Sequence, residues 1–354
     1  MRVNEIDLLR FSAALMVVLF HYIFRGYTAD AMSPLPYPSL VPAAKYGYLG
    51  VELFFLISGF VILMTASAGS LRKFVVSRLV RLYPAYWVCV TLTFVMILAV
   101  GAPRFGATFG QYLANLTMLN EFVHIPSIDG VYWSLAVELK FYALVALVLA
   151  AGLIARAELL LAGWLAVAAL LDAVDFSYTV RSLLVTEFAP FFVAGALCYL
   201  VYANGMTLLR GAVIACAWLL ALRGSIAAIP ILERQFREPF DPVVIGVLVS
   251  AFFAVMVLVA VKRTGWFARR GWVAIGALTY PLYLIHQKAG YMIFNLAWPA
   301  VNAHVLLWGT VALMLGVAWL VNRYVERRYS KAFKLALEKL FSRAAPERAA
   351  PPPA

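Results

Sequence analysis

Charged side chains are scarce in this sequence. Only 13% of its 354 residues are Asp, Glu, Lys or Arg, and 64% are hydrophobic. Soluble domains carry about 25% charged and 45–50% apolar residues, so an ordinary soluble domain is excluded. Several apolar runs approach the ~20 residues that a helix needs to cross a bilayer, which predicts an integral membrane protein. The short alternating segments of a transmembrane barrel are missing as well.

Cysteine and histidine are also sparse. The three cysteines, Cys89, Cys198 and Cys216, lie inside apolar runs without a pairing pattern. This placement predicts packing residues and no disulfide framework. The four histidines are too scattered to form a recognisable zinc motif. The sequence therefore predicts no metal site and no tightly bound cofactor.

Hydropathy divides the chain into about ten apolar segments of spanning length. Their approximate limits are 5–24, 46–66, 84–101, 134–152, 158–173, 183–202, 208–224, 242–261, 273–296 and 304–322. We therefore predict an all-α polytopic membrane protein, a bundle of about ten transmembrane helices. The membrane domain covers residues 1–330, and a basic, then Ala/Pro-rich cytoplasmic tail covers 331–354. The tail is predicted to be disordered from Ala344 onward.

Lysine and arginine are distributed unevenly between alternate loops. With the N-terminus in the cytoplasm, 19 of the 29 basic residues fall in cytoplasmic segments and 7 on the opposite side. The positive-inside rule then predicts that both termini are cytoplasmic. The same bias explains the net charge of +12, which in a soluble protein would suggest a nucleic-acid partner. We predict the lipid bilayer as the partner and no nucleic acid.

The first apolar run has a competing interpretation. An apolar core follows a basic residue, and "ADA" at 29–31 resembles a signal-peptidase site. The leading segment also carries Glu5 and Asp7, which is unusual for a signal peptide. A retained transmembrane helix is therefore favoured.

Polar side chains inside predicted spans are costly and usually functional. Arg10 and His21 are eleven residues apart, so an ideal helix places them within ~20° of each other and ~16 Å apart along its axis. The structural alternative is an arginine at one membrane interface and a histidine at the other.

Depth brings further polar groups to the level of His21. Glu52 in the second span, and Ser134 and Glu138 in the fourth, lie at a similar distance below the outer surface. A carboxylate beside an imidazole raises its basicity, which suits a general base acting on a hydroxyl. We therefore predict His21, Glu138, Glu52 and Ser134 as catalytic residues, with Glu138 or Glu52 orienting His21. The alternative is a polar network that only holds helices together.

A basic cluster, "RKFVVSRLVRLYP" at 72–84, precedes the third span. Arg78 and Arg81 are three residues apart and share a helix face. Guanidinium groups bind phosphate through paired hydrogen bonds, so a cytoplasmic donor that carries phosphates could dock here. The alternative is ordinary positive-inside charge or lipid-headgroup contact.

Five features in sequence order resemble the acyltransferase-3 family, over about residues 5 to 325. They are the Arg10–His21 spacing, "VELFFLISGFVI" at 51–62, "RLVRLYPAYW" at 78–87, "VYWSLAVELKFY" at 131–142 and "LTYPLYLIHQ" at 278–287. The resemblance implies a membrane O-acyltransferase with cytoplasmic acyl-CoA, commonly acetyl-CoA, as co-substrate. The implied acceptor is a hydroxyl of an extracytoplasmic glycan or glycolipid, of lipopolysaccharide or exopolysaccharide type. A bacterial inner membrane is the implied location.

The resemblance also implies roles for further residues. Those expected to bind acyl-CoA are Arg10, Arg78, Arg81 and Tyr83. Those expected to line the cavity are Ser58, Gly59, Trp133, Tyr283 and His286. The rival function is a transporter or flippase for a glycan or lipid precursor, although we find no inverted repeat. An acyltransferase with a lipid or peptide acceptor is also compatible with the sequence.

Overall fold

The computed structural model describes residues 3–269 and 271–344, and within these ranges the chain is helical with no β-strand. The predicted all-α class is therefore confirmed. We label eleven helices in chain order: α1 (Asn4–Leu19), α2 (Gly50–Ser67), α3 (Leu71–Val100), α4 (Trp133–Ala150), α5 (Ala157–Ala173), α6 (Ala189–Asn204), α7 (Leu208–Ala227), α8 (Pro242–Ala260), α9 (Trp272–Ala297), α10 (Ala303–Val321) and α11 (Arg327–Ala344).

Eight helical segments in the described part of the chain are long and apolar enough to cross a membrane. They contain α1, α2, α3, α4, α5, α7, α8 and α10. The other two predicted spans are also helical. However, α6 has only 16 residues, and α9, with 26 residues, carries several polar groups along its length. The total of ten spans and the side of the termini therefore stay predictions.

Three boundaries differ from the sequence-based limits. The sixth span was predicted to begin at residue 183, but residues 184–188 form a turn and α6 begins at Ala189. The third span was predicted to begin at residue 84, but α3 begins at Leu71, where the Ser70 side chain accepts a hydrogen bond from the N–H of Lys73. The basic residues of this turn lower the hydropathy, yet arginine and lysine are good helix formers. At the other end, α11 continues the chain as a helix through residue 344. Residues 345–354, where the disordered tail was predicted, lie outside the described residues.

Two glycines allow α2 and α6 to cross at close range. A Cβ atom added to Gly59 would collide with the carbonyl oxygen of Phe192, and one added to Gly195 would collide with that of Leu56. Small residues at helix crossings of this kind are typical of membrane bundles, in which packing drives association. The crossing fixes the position of α2 relative to α6, and α2 carries Glu52 and Ser58.

Helix α9 runs through the interior of the bundle and packs against α1, α3 and α10. Most of its residues from Gly276 to Phe294 are buried. Beside it, α1 continues into a π-helical segment over Phe20–Arg25, an irregularity common at functional sites. The packing of α1 on α9 therefore brings the polar residues of α9 next to His21.

One end of the bundle gathers the basic residues, and we call it the basic end. It contains the first turns of α1, α3 and α9 and the segment after α10. Contacts join these elements: the Thr264 hydroxyl donates to Glu5 at 3.1 Å, and Arg81 pairs with Glu326 at 3.0 Å. The opposite end, which we call the far end, contains the connections on either side of Lys45 and Arg104.

Candidate active site

A narrow pocket with about 90 Å³ of open volume enters the bundle between α1, α2, α3, α4 and α9. Seven of the predicted site residues line it: Arg10, Ser58, Arg78, Arg81, Ser134, Glu138 and Tyr283. Phenylalanine, leucine and isoleucine side chains complete the wall. The pocket therefore places three cations, one carboxylate and several hydroxyl groups along one slender space.

Arg78 lies in the wall of the pocket with part of its hydrogen-bonding capacity unused. Its Nη2 donates to the hydroxyls of Ser77 at 2.9 Å and Thr65 at 3.4 Å. Its carbon Cζ lies 5.8 Å from the centre of the Tyr142 ring. Its Nε is buried and has no hydrogen-bond partner among the described residues. A guanidinium with a spare buried N–H is suited to an anionic ligand.

Arg81 lies one helical turn further along α3. Its Nη1 pairs with the Glu326 carboxylate at 3.0 Å, and its Cζ lies 5.3 Å from the centre of the Tyr280 ring. The same carboxylate accepts a hydrogen bond from the Asn322 amide at 2.6 Å. Arg81 therefore faces the pocket and also ties α3 to the segment after α10.

Two hydrogen-bonded pairs occupy the rest of the polar wall. The Ser58 hydroxyl donates to Glu138 Oε1 at 2.8 Å. The hydroxyls of Ser134 and Tyr283 lie 2.7 Å apart, and both lie within 3.2 Å of the carbonyl oxygen of Val131. These contacts join α2 to α4 and α4 to α9 around the pocket.

Neither predicted carboxylate lies beside His21. Glu138 is held by Ser58. Glu52 faces α7, where the Ser225 hydroxyl lies 3.1 Å from both carboxylate oxygens. Similar depth on three helices does not fix the direction of each side chain, and here the two carboxylates point to different neighbours.

The partner of His21 is His286. His286 Nε2 lies 3.1 Å from His21 Nδ1, and the two rings are 5.0 Å apart. His286 Nδ1 lies 2.9 Å from the carbonyl oxygen of Tyr283, and His21 Nδ1 lies 2.8 Å from that of Val17. A carbonyl oxygen only accepts, so both Nδ1 atoms carry the proton. His286 Nε2 therefore accepts from His21, and His21 Nε2 keeps a free lone pair.

The histidine pair lies directly behind one wall of the pocket. The Tyr283 ring, which lines the pocket, is 5.8 Å from the His286 ring. Two tyrosines hold the backbone on either side: the Tyr22 hydroxyl donates to the carbonyl of His286 at 2.7 Å, and the Tyr291 hydroxyl donates to that of His21 at 3.2 Å. Neither histidine lines the pocket itself, and both are buried.

Three other predicted site residues lie outside the pocket lining. Gly59 lies in the crossing of α2 and α6 and not in the pocket wall. Trp133 is 37% exposed and packs its ring 5.8 Å from Phe188. The Tyr83 hydroxyl donates to the carbonyl of Thr117 at 2.8 Å, towards the 101–129 connection and outside the pocket lining.

Sequence reasoning missed Asp129, which is fully buried just before α4. Its carboxylate accepts hydrogen bonds from the N–H groups of Lys288 at 3.0 Å and Val131 at 3.3 Å. Burial raises the pKa of Asp129 to about 6, although these N–H donors and the nearby Lys288 ammonium act in the opposite direction. An Asp before Gly at a helix start is a capping signal that could have identified it. Asp129 fixes α4 to α9 close to Ser134 and His286.

The fold and the pocket define a polytopic helical membrane protein with an internal pocket lined by three arginines. Residues 3–323 match the acyltransferase-3 family, described as an acyltransferase domain. The chain therefore belongs to this family, and it is a multi-pass membrane protein.

Two curated relatives are similar to part of the chain. Acyltransferase MdmB of Streptomyces mycarofaciens is 27% identical over 148 residues, which cover 40% of this chain and 38% of the relative. Nodulation protein 10 of Rhizobium leguminosarum bv. viciae is 30% identical over 161 residues, which cover 39% of this chain and 42% of the relative. The matched region thus spans about two fifths of each relative. No solved structure matches the chain significantly.

Proposed function

We propose that this protein transfers an acetyl group from cytoplasmic acetyl-CoA to a hydroxyl of a glycan or glycolipid on the opposite side of a bacterial inner membrane. The acceptor is of lipopolysaccharide or exopolysaccharide type. One observation carries the proposal: a single pocket connects two arginines at the basic end to the wall behind which His21 holds a free Nε2 lone pair. The donor is a co-substrate and not a resident cofactor.

The donor would enter from the basic end. The Arg78 and Arg81 guanidiniums suit the diphosphate of CoA, because arginine binds phosphate through two parallel N–H donors. The pocket is narrow and its wall is mainly apolar, which suits an unbranched pantetheine arm. The thioester would then lie near Ser134 and Tyr283, one side chain away from the histidine pair.

His21 would act as the general base. Its Nε2 takes the proton of the acceptor hydroxyl while the hydroxyl oxygen attacks the thioester carbonyl carbon. The carbon–sulfur bond then breaks, and the CoA sulfur leaves with the proton that His21 returns. The Val17 carbonyl and His286 Nε2 both accept from the His21 Nδ1–H, which keeps Nε2 as the basic nitrogen; His286 thus has the role of the orienting partner in catalytic triads. Rotation of Tyr283 away from Ser134 would open the path between the pocket and His21.

The test uses membranes that contain wild type, His21→Ala or His304→Ala at matched protein levels. His304 is exposed at the start of α10 and serves as the control. With acetyl-labelled acetyl-CoA, we expect label in the glycan or lipid-linked glycan fraction from wild type and His304→Ala. The His21→Ala rate should fall about 100- to 10,000-fold, which is the usual contribution of a general base.

Two results would contradict this account in different ways. Equal labelling by wild type and His21→Ala would leave the reaction in place but remove His21 from it. No labelling by wild type would mean that acetyl-CoA is not the donor or that the acceptor is not a glycan.

A further inference from the structure

A second cavity lies at the basic end, outside the pocket described above. It has about 440 Å³ of open volume and lies between the last turns of α2 and α6 and the connection that follows α8. Its lining includes Thr65, Tyr199, Tyr202 and Lys262. The first pocket explains none of these side chains, so they call for a separate explanation.

The two tyrosines form a fixed aromatic surface. Tyr199 and Tyr202 are three residues apart, so they share a face of α6. Both pack against Phe60, whose ring centre is 5.6 Å from that of Tyr199 and 5.8 Å from that of Tyr202. Aromatic side chains held in this way at a cavity wall are typical of sites that stack nucleobases.

Lys262 adds a positive charge next to this surface. Its ammonium lies 4.8 Å from the centre of the Tyr202 ring, and it forms no ion pair with any residue in 3–269 or 271–344. A lysine that faces a cavity without a carboxylate partner is suited to a phosphate group. The pairing of aromatic ring and free ammonium therefore favours a ligand that joins a base to a phosphate.

The helix ends at this cavity provide hydrogen-bond acceptors. Helices α2 and α6 end at Ser67 and Asn204, and the last four carbonyl groups of a helix have no partner within it. The Ala66 and Val201 carbonyls accept from the N–H groups of Gly69 and Gly205, which leaves the other terminal carbonyls as acceptors. The amino group of adenine is a donor that could use such a carbonyl. These carbonyls would disfavour a bare anion, since helix C-termini carry partial negative charge. A ligand that carries both a base and a phosphate can donate to these carbonyls through the base and bind Lys262 through the phosphate.

The second cavity adjoins the first pocket through α2. Ile62 lines the first pocket and Thr65 lines the second cavity, one helical turn away. The Thr65 hydroxyl also accepts the hydrogen bond from Arg78 at 3.4 Å. A ligand held by Arg78 could therefore extend into either space.

We propose that the second cavity binds the adenosine 3′-phosphate end of the CoA donor. The adenine stacks on the surface formed by Tyr199 and Tyr202, and Lys262 binds the 3′-phosphate. The diphosphate lies at Arg78 and Arg81, and the pantetheine arm enters the first pocket. This assignment rests on the proposed function, because it takes acyl-CoA as the donor.

Equilibrium binding to the purified full chain in lipid nanodiscs tests the assignment without an acceptor. The three probes are CoA, 3′-dephospho-CoA and 4′-phosphopantetheine. Wild type should bind CoA about tenfold more tightly than 3′-dephospho-CoA, a difference typical of one charge-assisted phosphate contact. Lys262→Gln should remove this difference by weakening CoA alone. The control is Lys45→Gln, since Lys45 also lies over aromatic rings but at the far end; it should leave all three affinities unchanged.

A second variant addresses the aromatic surface. Tyr202→Leu should weaken CoA and 3′-dephospho-CoA about tenfold each, the usual contribution of one stacked base. Its affinity for 4′-phosphopantetheine should not change, which shows that the variant is folded. Equal affinity of wild type for all three probes would overturn the assignment and leave the donor class standing. Binding of none of the probes by wild type would overturn both.

Discussion

At the scale of single residues, the chemistry depends on which nitrogen of each histidine carries a proton. Both Nδ1 atoms donate to backbone carbonyls, and His286 Nε2 accepts from His21. The ring nitrogen whose lone pair remains free to take a proton is therefore His21 Nε2. The sequence predicted His21 as a candidate base because a polar residue inside an apolar span is costly. It did not identify the pairing with His286, because these residues are 265 positions apart and only the packing of α1 on α9 brings them together.

His286 is expected to act through His21 and not on the substrate. His286→Leu removes one of the two acceptors that share the His21 Nδ1–H and leaves only the Val17 carbonyl, so kcat should fall about tenfold, the usual effect of losing one hydrogen bond. His286→Gln keeps an acceptor oxygen and should retain most of the rate. KM for acetyl-CoA should stay the same in both variants. Equal loss in the two variants, or a change in KM alone, would remove His286 from the positioning role.

At the scale of helices, hydropathy predicted most limits closely. The limits of α5, α8 and α9 agree with it to within a residue, although α9 carries His286, Gln287 and Lys288 in succession. It failed at the start of α3, because basic residues that border the pocket lower the hydropathy there. It also failed at the start of α6, because a turn over residues 184–188 interrupts the apolar run.

No side chain should fit at Gly195, where α2 and α6 cross. A Cβ atom there would meet the backbone of Leu56, which cannot move without shifting α2. Gly195→Ala should therefore cost about 1–3 kcal/mol, as expected for overpacking. Gly309→Ala is the matched control, because nothing lies within 4 Å of its added Cβ atom. Thermal unfolding in detergent should show a lower midpoint for Gly195→Ala only; equal midpoints would contradict the close crossing.

At the scale of the whole molecule, the bundle has two chemically different ends. The basic end carries the arginines of α3, the second cavity and the ion pair between Arg81 and Glu326. The charge distribution predicts that this end faces the cytoplasm. The sequence indicated which loops are basic, but only the folded chain shows that both cavities are lined by residues of the basic end, because their walls come from helices far apart in sequence.

Two exposed glycines allow the orientation to be tested. Gly110 lies in the connection after α3 at the far end, and Gly265 lies in the connection after α8 at the basic end; neither has an atom within 4 Å of an added Cβ. After the three native cysteines are replaced, Gly110→Cys should react with an impermeant maleimide in intact spheroplasts. Gly265→Cys should react only after the membrane is opened. The reverse pattern would place the basic end outside.

The central claim is that the acetyl group crosses from one side of the protein to the other. It is tested most directly with sealed membrane vesicles of known orientation, to which labelled acetyl-CoA is added from outside. The account predicts that inverted vesicles, which expose the cytoplasmic face, label glycan that is enclosed in their lumen, whereas right-side-out vesicles form no labelled glycan. Labelling in right-side-out vesicles alone, or equally in both, would contradict the claim that the donor binds at the cytoplasmic end.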